Sequence, residues 1–143
     1  MTADPWTALA DRLARLLTRR EADDFLILHA GPYYVQCYQG PAELYAEALA
    51  NRSDFPPVRL PAAAEQRLRD LGWQPPDGPD ENWTTRLPFP ASHRQARALA
   101  DRMLTTLREV YQVGTITDLR YEATNARAGT PWNAAPLGLL PAG

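Results

Sequence analysis

Lysine is absent from this chain of 143 residues: all fifteen cationic side chains are arginine, set against seventeen Asp and Glu. The formal net charge of −2 offers none of the basic excess that nucleic acid or an anionic membrane surface calls for. Guanidinium is more weakly hydrated than ammonium, so these cations are suited to aromatic faces and protein interfaces. Cys37 is the one cysteine, which excludes an intramolecular disulfide framework and a multi-cysteine zinc site. No apolar run approaches the ~18 residues of a membrane span. Asp4, Asp11 and Arg12 interrupt the N-terminal stretch, unlike a signal peptide or an anchor. A soluble cytoplasmic protein is the expectation.

Reactive chemistry is equally sparse. G-x-G-x-x-G, Walker and G-x-S-x-G motifs do not occur. The two histidines, His29 and His93, have no second ligand at a local metal spacing and read as packed or solvated side chains. Cys37 lies mid-strand without a neighbouring cation and reads as a buried, inert thiol. Asp77, Asp80 and Glu81 lack the ligand spacing of a calcium loop, with Pro79 interposed, and read as a solvated turn. Arg94, Arg97, Arg102 and Arg108 alternate with acids and read as a wet helix face. No cofactor, no metal and no catalytic residue is expected.

What is present is a stretch of strands. FLILHA, YYVQCYQ and LYAEAL, beginning at Phe25, Tyr33 and Leu44, follow one another across Gly31-Pro32 and Gly40-Pro41, which reads as strands joined by tight turns, although the Ala and Glu of the third would also suit a helix. In the second strand Tyr33, Val35 and Cys37 point one way, and Tyr34, Gln36 and Tyr38 the other. Before these strands, Asp4-Pro5 caps an amphipathic helix ending near Arg19-Arg20. After them comes a loop over 51–57, then a short helix from Pro61 with Gly72 as its C-cap. A fourth strand fits Asn82–Phe89, and a long helix runs from Pro90 to Val113 with Ser92 as N-cap. Thr115–Ala123 shows a weaker strand pattern in which Ile116 and Tyr121 do not share parity. From Gly129 onward the Gly-, Pro- and Ala-rich composition shows no period and predicts a disordered tail.

The fold class is therefore α+β: an antiparallel sheet flanked by helices in the order α-β-β-β-α-β-α, with an optional extra C-terminal strand. Helices from two or three segments can cover only one side of such a sheet. If they cover Val35 and Cys37, then Tyr34, Gln36 and Tyr38, with Tyr45 and Glu47 from the next strand, form an exposed aromatic face. Tyrosine brings large contact area at small entropy cost and keeps a polar handle, which suits recognition. Trp73 and Trp83 read as core.

Four pieces of the chain carry a resemblance to a known family. They are FLILHAGPYYVQCYQ, LYAEALANRS, LRDLGWQPP with its Leu71-Gly72-Trp73 and Pro75-Pro76, and ASHRQARALADRMLTTLREVYQV. In this order they resemble the TY-Chap family of bacterial, mostly actinobacterial, domains, related in fold to type III secretion chaperones and YbjN-like proteins. The resemblance covers about residues 5 to 113. It implies a chaperone-like fold used for protein binding, without enzymatic activity. A single chaperone-like domain over 1–123 and a flexible tail over 124–143 follow as the expected organisation.

The resulting expectation is a non-catalytic binding module that captures a partner polypeptide through the sheet face or a strand edge. Tyr34, Gln36, Tyr38, Tyr45 and Glu47 are its candidate partner-binding residues. Related chaperones commonly dimerise, so the resemblance also allows a homodimer. The alternatives are an immunity-like or regulatory inhibitor of one folded partner and, less favoured, a small-ligand sensor or enzyme using a pocket between sheet and helix.

Overall fold

The structure, a computed structural model, describes residues 4–51, 58–78 and 81–142. Helix α1 (Pro5–Leu17) starts where the Asp4 carboxylate accepts the Thr7 N–H at 3.2 Å, with Pro5 in the first turn. Its stripe of Trp6, Leu9, Ala10, Leu13, Ala14, Leu16 and Leu17 is buried. The helix stops short of the expected Arg19-Arg20, and the side chains there explain why. The Thr18 hydroxyl donates to the Arg15 carbonyl at 2.8 Å and Arg20 Nε to the Leu16 carbonyl at 2.9 Å, so side chains satisfy carbonyls that a further turn would have used.

Strands β1 (Asp24–Ala30), β2 (Tyr33–Gln39) and β3 (Glu43–Ala48) form an antiparallel meander, and β4 (Trp83–Pro88) adds antiparallel to β3. Gly31, at φ 57°, makes the first of the tight turns. The sheet continues beyond β1 through β5 (Arg120–Asn125), which places β1 at its centre. Burial alternates strictly along the strands. Leu26 and Leu28, Val35 and Cys37, Leu44, Ala46 and Ala48, and Trp83 and Thr85 are buried, while the residues between them are partly exposed. Helix α3 (His93–Thr105) packs along α1, and α2 (Ala62–Leu71) packs beside the turn that follows α3. Trp73 and Trp83 are both in the core.

Helix α3 is announced by a complete capping box: Ser92 Oγ accepts from Gln95 N at 3.1 Å and the Gln95 side chain accepts from Ser92 N at 2.9 Å. The expected helix to Val113 is not uniform. Over Thr106–Val110 the bonding widens to a π-helical turn, with Tyr111 N–H donating to the Thr106 carbonyl at 3.0 Å. Thr106 is fully buried; its hydroxyl donates to the Arg102 carbonyl at 2.7 Å and accepts the indole N–H of Trp73 at 2.9 Å.

Arg102 corrects the reading of a uniformly wet arginine face. It is half-buried, with Nε donating to the Leu71 carbonyl and Nη1 to Thr85 Oγ1, both at 2.7 Å, tying the end of α2 to β4. Burial lowers the pKa of its guanidinium below the ordinary value. Gly72 ends α2 in the left-handed region at φ 102°, and a Cβ there would stand 2.7 Å from Arg102 Nη2. The left-handed backbone therefore demands glycine, and a side chain there would also displace the Arg102 guanidinium from its two bonds.

Two C-terminal expectations are overturned. Ile116–Asp118 is a single 3₁₀ turn rather than strand, which accounts for the broken parity, and the strand is displaced to Arg120–Asn125. Residues 126–142 are not a free tail. Thr130–Pro131 (β6) pairs antiparallel with β5, and Leu140–Pro141 (β7) pairs parallel with it. Trp132 N–H donates to the Ala123 carbonyl and Ala142 N–H to the Tyr121 carbonyl, at 3.2 and 2.8 Å. Leu137 and Ala134 are buried, with the turn that carries Leu137 lying against α1. Composition misled here because isolated anchors, not a period, hold the segment. The expected loop falls largely on 52–57, and Asp80 on 79–80, both outside the described residues.

Two substitutions test these contacts by urea unfolding. Thr106→Val keeps the shape but leaves the Trp73 indole N–H unpaired, and is expected to cost about 1–3 kcal/mol. Leu137→Ala is expected to cost about 2–5 kcal/mol, as for a core leucine; a change within ~0.5 kcal/mol would mean that the C-terminal segment is not anchored there.

Candidate functional site

The partly exposed side of the sheet is built from register. One row crosses it as Thr124, Phe25, Tyr38, Tyr45 and Arg86, and the next as Glu122, Ile27, Gln36, Glu47 and Thr84. A third brings together Arg120, His29 and Tyr34. All five residues singled out from the sequence lie on this side, and each is partly exposed.

The contacts along these rows are specific. Phe25 and Tyr38 meet with ring centroids 6.2 Å apart, tilted by 59°. The Arg86 guanidinium lies 5.1 Å from the Tyr45 ring centroid and 3.6 Å from Glu43. Gln36 donates its amide to Glu47, and the Tyr45 hydroxyl reaches the other Glu47 oxygen at 3.3 Å. The Tyr38 hydroxyl donates to Asp23, a residue held at positive φ, and that hydrogen bond raises the phenol pKa. For Tyr45, burial raises it first, followed by the charge of Glu47. Both phenols are therefore neutral donors at physiological pH.

Sequence reasoning missed several members of this surface. Phe25 and Ile27 belong to it, although β1 is apolar on both faces and its parity alone could not say which residues were which. Asn82 is a strut: its Nδ2 donates to the Tyr34 hydroxyl at 3.1 Å and its Oδ1 accepts from Ala50 N at 3.2 Å. Glu122 stands 3.4 Å from His29 Nε2, a closeness that only the β1–β5 register creates. The distance fits an ion pair, but His29 Nε2 has no hydrogen-bond partner. The two side chains are therefore neighbours without a directed bond between them.

Beside Tyr45 and Glu47 a polar cleft of about 420 Å³ opens towards the loop that follows α2, with Pro75, Asp77, Glu81 and Arg86 among its walls. The strand edges offer less. On β4, Gln74 exchanges both backbone hydrogen bonds with Thr84 at 2.8 and 3.1 Å. The next outward position is Arg86, and after it Pro88 has no N–H to give. At the opposite side β6 and β7 occupy the outer edge of β5. Cys37 faces the covered side, where burial pushes its thiol up to about 12.

A one-sided antiparallel sheet with helices on one face and a partly exposed aromatic row on the other defines an α+β fold. The chain belongs to TY-Chap3, the family described as "T3SS (YopN, CesT) and YbjN peptide-binding chaperone 3", whose sequence model matches residues 1–125. Residues 126–142, which close the β5 edge, lie beyond that match. No curated protein and no solved structure matches the chain. Among the described residues no helix is long and apolar enough to cross a membrane.

The buried thiol yields a direct check on which face is covered. At pH 8 native protein is expected to leave Cys37 unmodified by Ellman's reagent, with full reaction once denaturant is added. Prompt modification of the native protein would show that the Cys37 side is open.

Proposed function

We propose that this chain is a non-catalytic, chaperone-like module that holds an extended segment of a partner polypeptide across the open sheet face. Tyr34, Gln36, Tyr38, Tyr45 and Glu47 are its contact residues. The observation that carries this reading is the row Phe25–Tyr38–Tyr45–Arg86, an aromatic strip left partly exposed on the face opposite the buried side chains of the same strands. Family membership supports the class of partner, since peptide binding is what the family's description names.

The chemistry suits an extended client. Rings fixed by cross-strand neighbours lose little entropy on binding. Gln36 and Glu47 sit in the adjacent row, where they can exchange their mutual hydrogen bond for bonds to a client backbone. The polar cleft at Tyr45, with Glu47, Asp77 and Glu81 beside Arg86, suits a polar or basic client side chain. The face is favoured over strand addition because β4 offers one free position before a proline and β5 is already paired.

The test uses a permanently unfolded client, reduced and carboxymethylated lactalbumin, in fluorescence anisotropy. Tyr38→Ser combined with Tyr45→Ser is expected to weaken binding by at least about ten-fold, equivalent to ~1.4 kcal/mol, with the far-UV circular dichroism unchanged. Tyr38→Phe, which keeps the ring and removes the hydroxyl, should retain most of the affinity. Undiminished binding by the double variant would remove this face from the mechanism, and binding confined to folded proteins would favour an inhibitor instead.

A further inference from the structure

Four arginines of or just beyond α1, Arg12, Arg15, Arg19 and Arg20, line a groove of about 600 Å³ whose other walls include Leu16 and Pro136 of the C-terminal segment. None of its lining residues belongs to the open sheet face. Two of the guanidinium groups are held in place. Arg12 Nε donates to the Leu137 carbonyl at 2.9 Å. Arg20 Nε donates to the Leu16 carbonyl at 2.9 Å, and its guanidinium lies 3.9 Å from the Trp132 ring centroid. The Arg12 bond uses Nε and leaves both terminal nitrogens, the planar fork that pairs with a carboxylate, while Arg20 Nη1 also donates to Asp24 at 3.5 Å.

Neutralisation within the groove is incomplete. Arg15 pairs with Asp11, and Arg20 lies 3.5 Å from Asp24. Arg12 and Arg19 have no carboxylate within ion-pair distance among the described residues. The groove therefore combines uncompensated positive charge with an apolar wall. We propose that it is a second binding site, for an acidic peptide segment carrying apolar residues between its carboxylates. A long polyanion fits less well, because the chain is net negative and Asp11, Glu21 and Asp24 lie close along the sequence to these arginines. The site exists only because residues 132–137 lie against α1, and that part of the chain is outside the family match.

The probe is a fluorescein-labelled peptide of alternating Glu and Leu, with alternating Gln and Leu as neutral control. At low ionic strength the Glu peptide is expected to bind full-length protein at least about ten-fold more tightly than the Gln peptide, and to weaken as salt rises. Arg15→Gln combined with Arg19→Gln removes two exposed charges and should reduce Glu-peptide affinity about ten-fold, with the far-UV circular dichroism unchanged. Tyr38→Ser with Tyr45→Ser should leave it unchanged, which separates this site from the sheet face. Equal affinity for the two peptides overturns the proposal. So does undiminished binding by the arginine variant, or displacement of the Glu peptide by a single-stranded oligonucleotide at lower concentration than unlabelled Glu peptide.

Discussion

The structure depends on one inequality: there is enough amphipathic helix to cover one face of the sheet and not two. Strand geometry sends successive side chains to opposite faces, so the covered face collects Leu26, Leu28, Val35, Cys37, Leu44, Ala46, Ala48 and Trp83, all buried. Helices α1 and α3 lie against one another, and each contributes buried alanines, Ala10 and Ala14 from one and Ala96 and Ala100 from the other. Small side chains permit close approach, and the leucines around them fill the remaining volume. A register slip of one residue in β2 would exchange Val35 and Cys37 for Gln36 and Tyr38, burying polar groups without partners.

The opposite face is stabilised differently. Its residues meet across strands rather than against helices, through the Phe25–Tyr38 ring contact, the Gln36–Glu47 bond and the Arg86–Tyr45 approach. Cross-strand pairs of this kind each contribute roughly 0.2–1 kcal/mol, enough to order the rings without sealing them from solvent. Order without burial is what a recognition surface requires, because little conformational entropy is then lost on contact.

Arginine serves the architecture in ways that a charge count conceals. Arg102 joins α2 to β4, Arg20 lies over Trp132, and Arg108 stands 5.8 Å from the Trp6 ring centroid while reaching Asp4 at 3.5 Å. The absence of lysine is thus matched by roles suited to a planar cation that donates along several directions and stacks on rings. Arg94, Arg97, Arg102 and Arg108 all read from the sequence as the polar side of one long helix. Of these four, Arg102 bonds the C-terminal end of α2, and that difference arises from where α2 stops.

Local signals in the chain were sufficient for the element order, the Asp4 and Ser92 caps, the Gly72 stop and the shared parity of Tyr34, Gln36 and Tyr38. Each depends on residues within a few positions of one another, where propensity and periodicity operate. Tertiary structure alone decided that Phe25 and Ile27 join those tyrosines, that Asn82 braces Tyr34, and that Glu122 stands beside His29. It also decided that residues 126–142 close the β5 edge and complete the arginine groove. These outcomes depend on pairing between β1 and β5, nearly a hundred residues apart along the chain, and on single anchors such as Trp132 and Leu137. No local period encodes such contacts, because they come into being only when the sheet brings distant segments together.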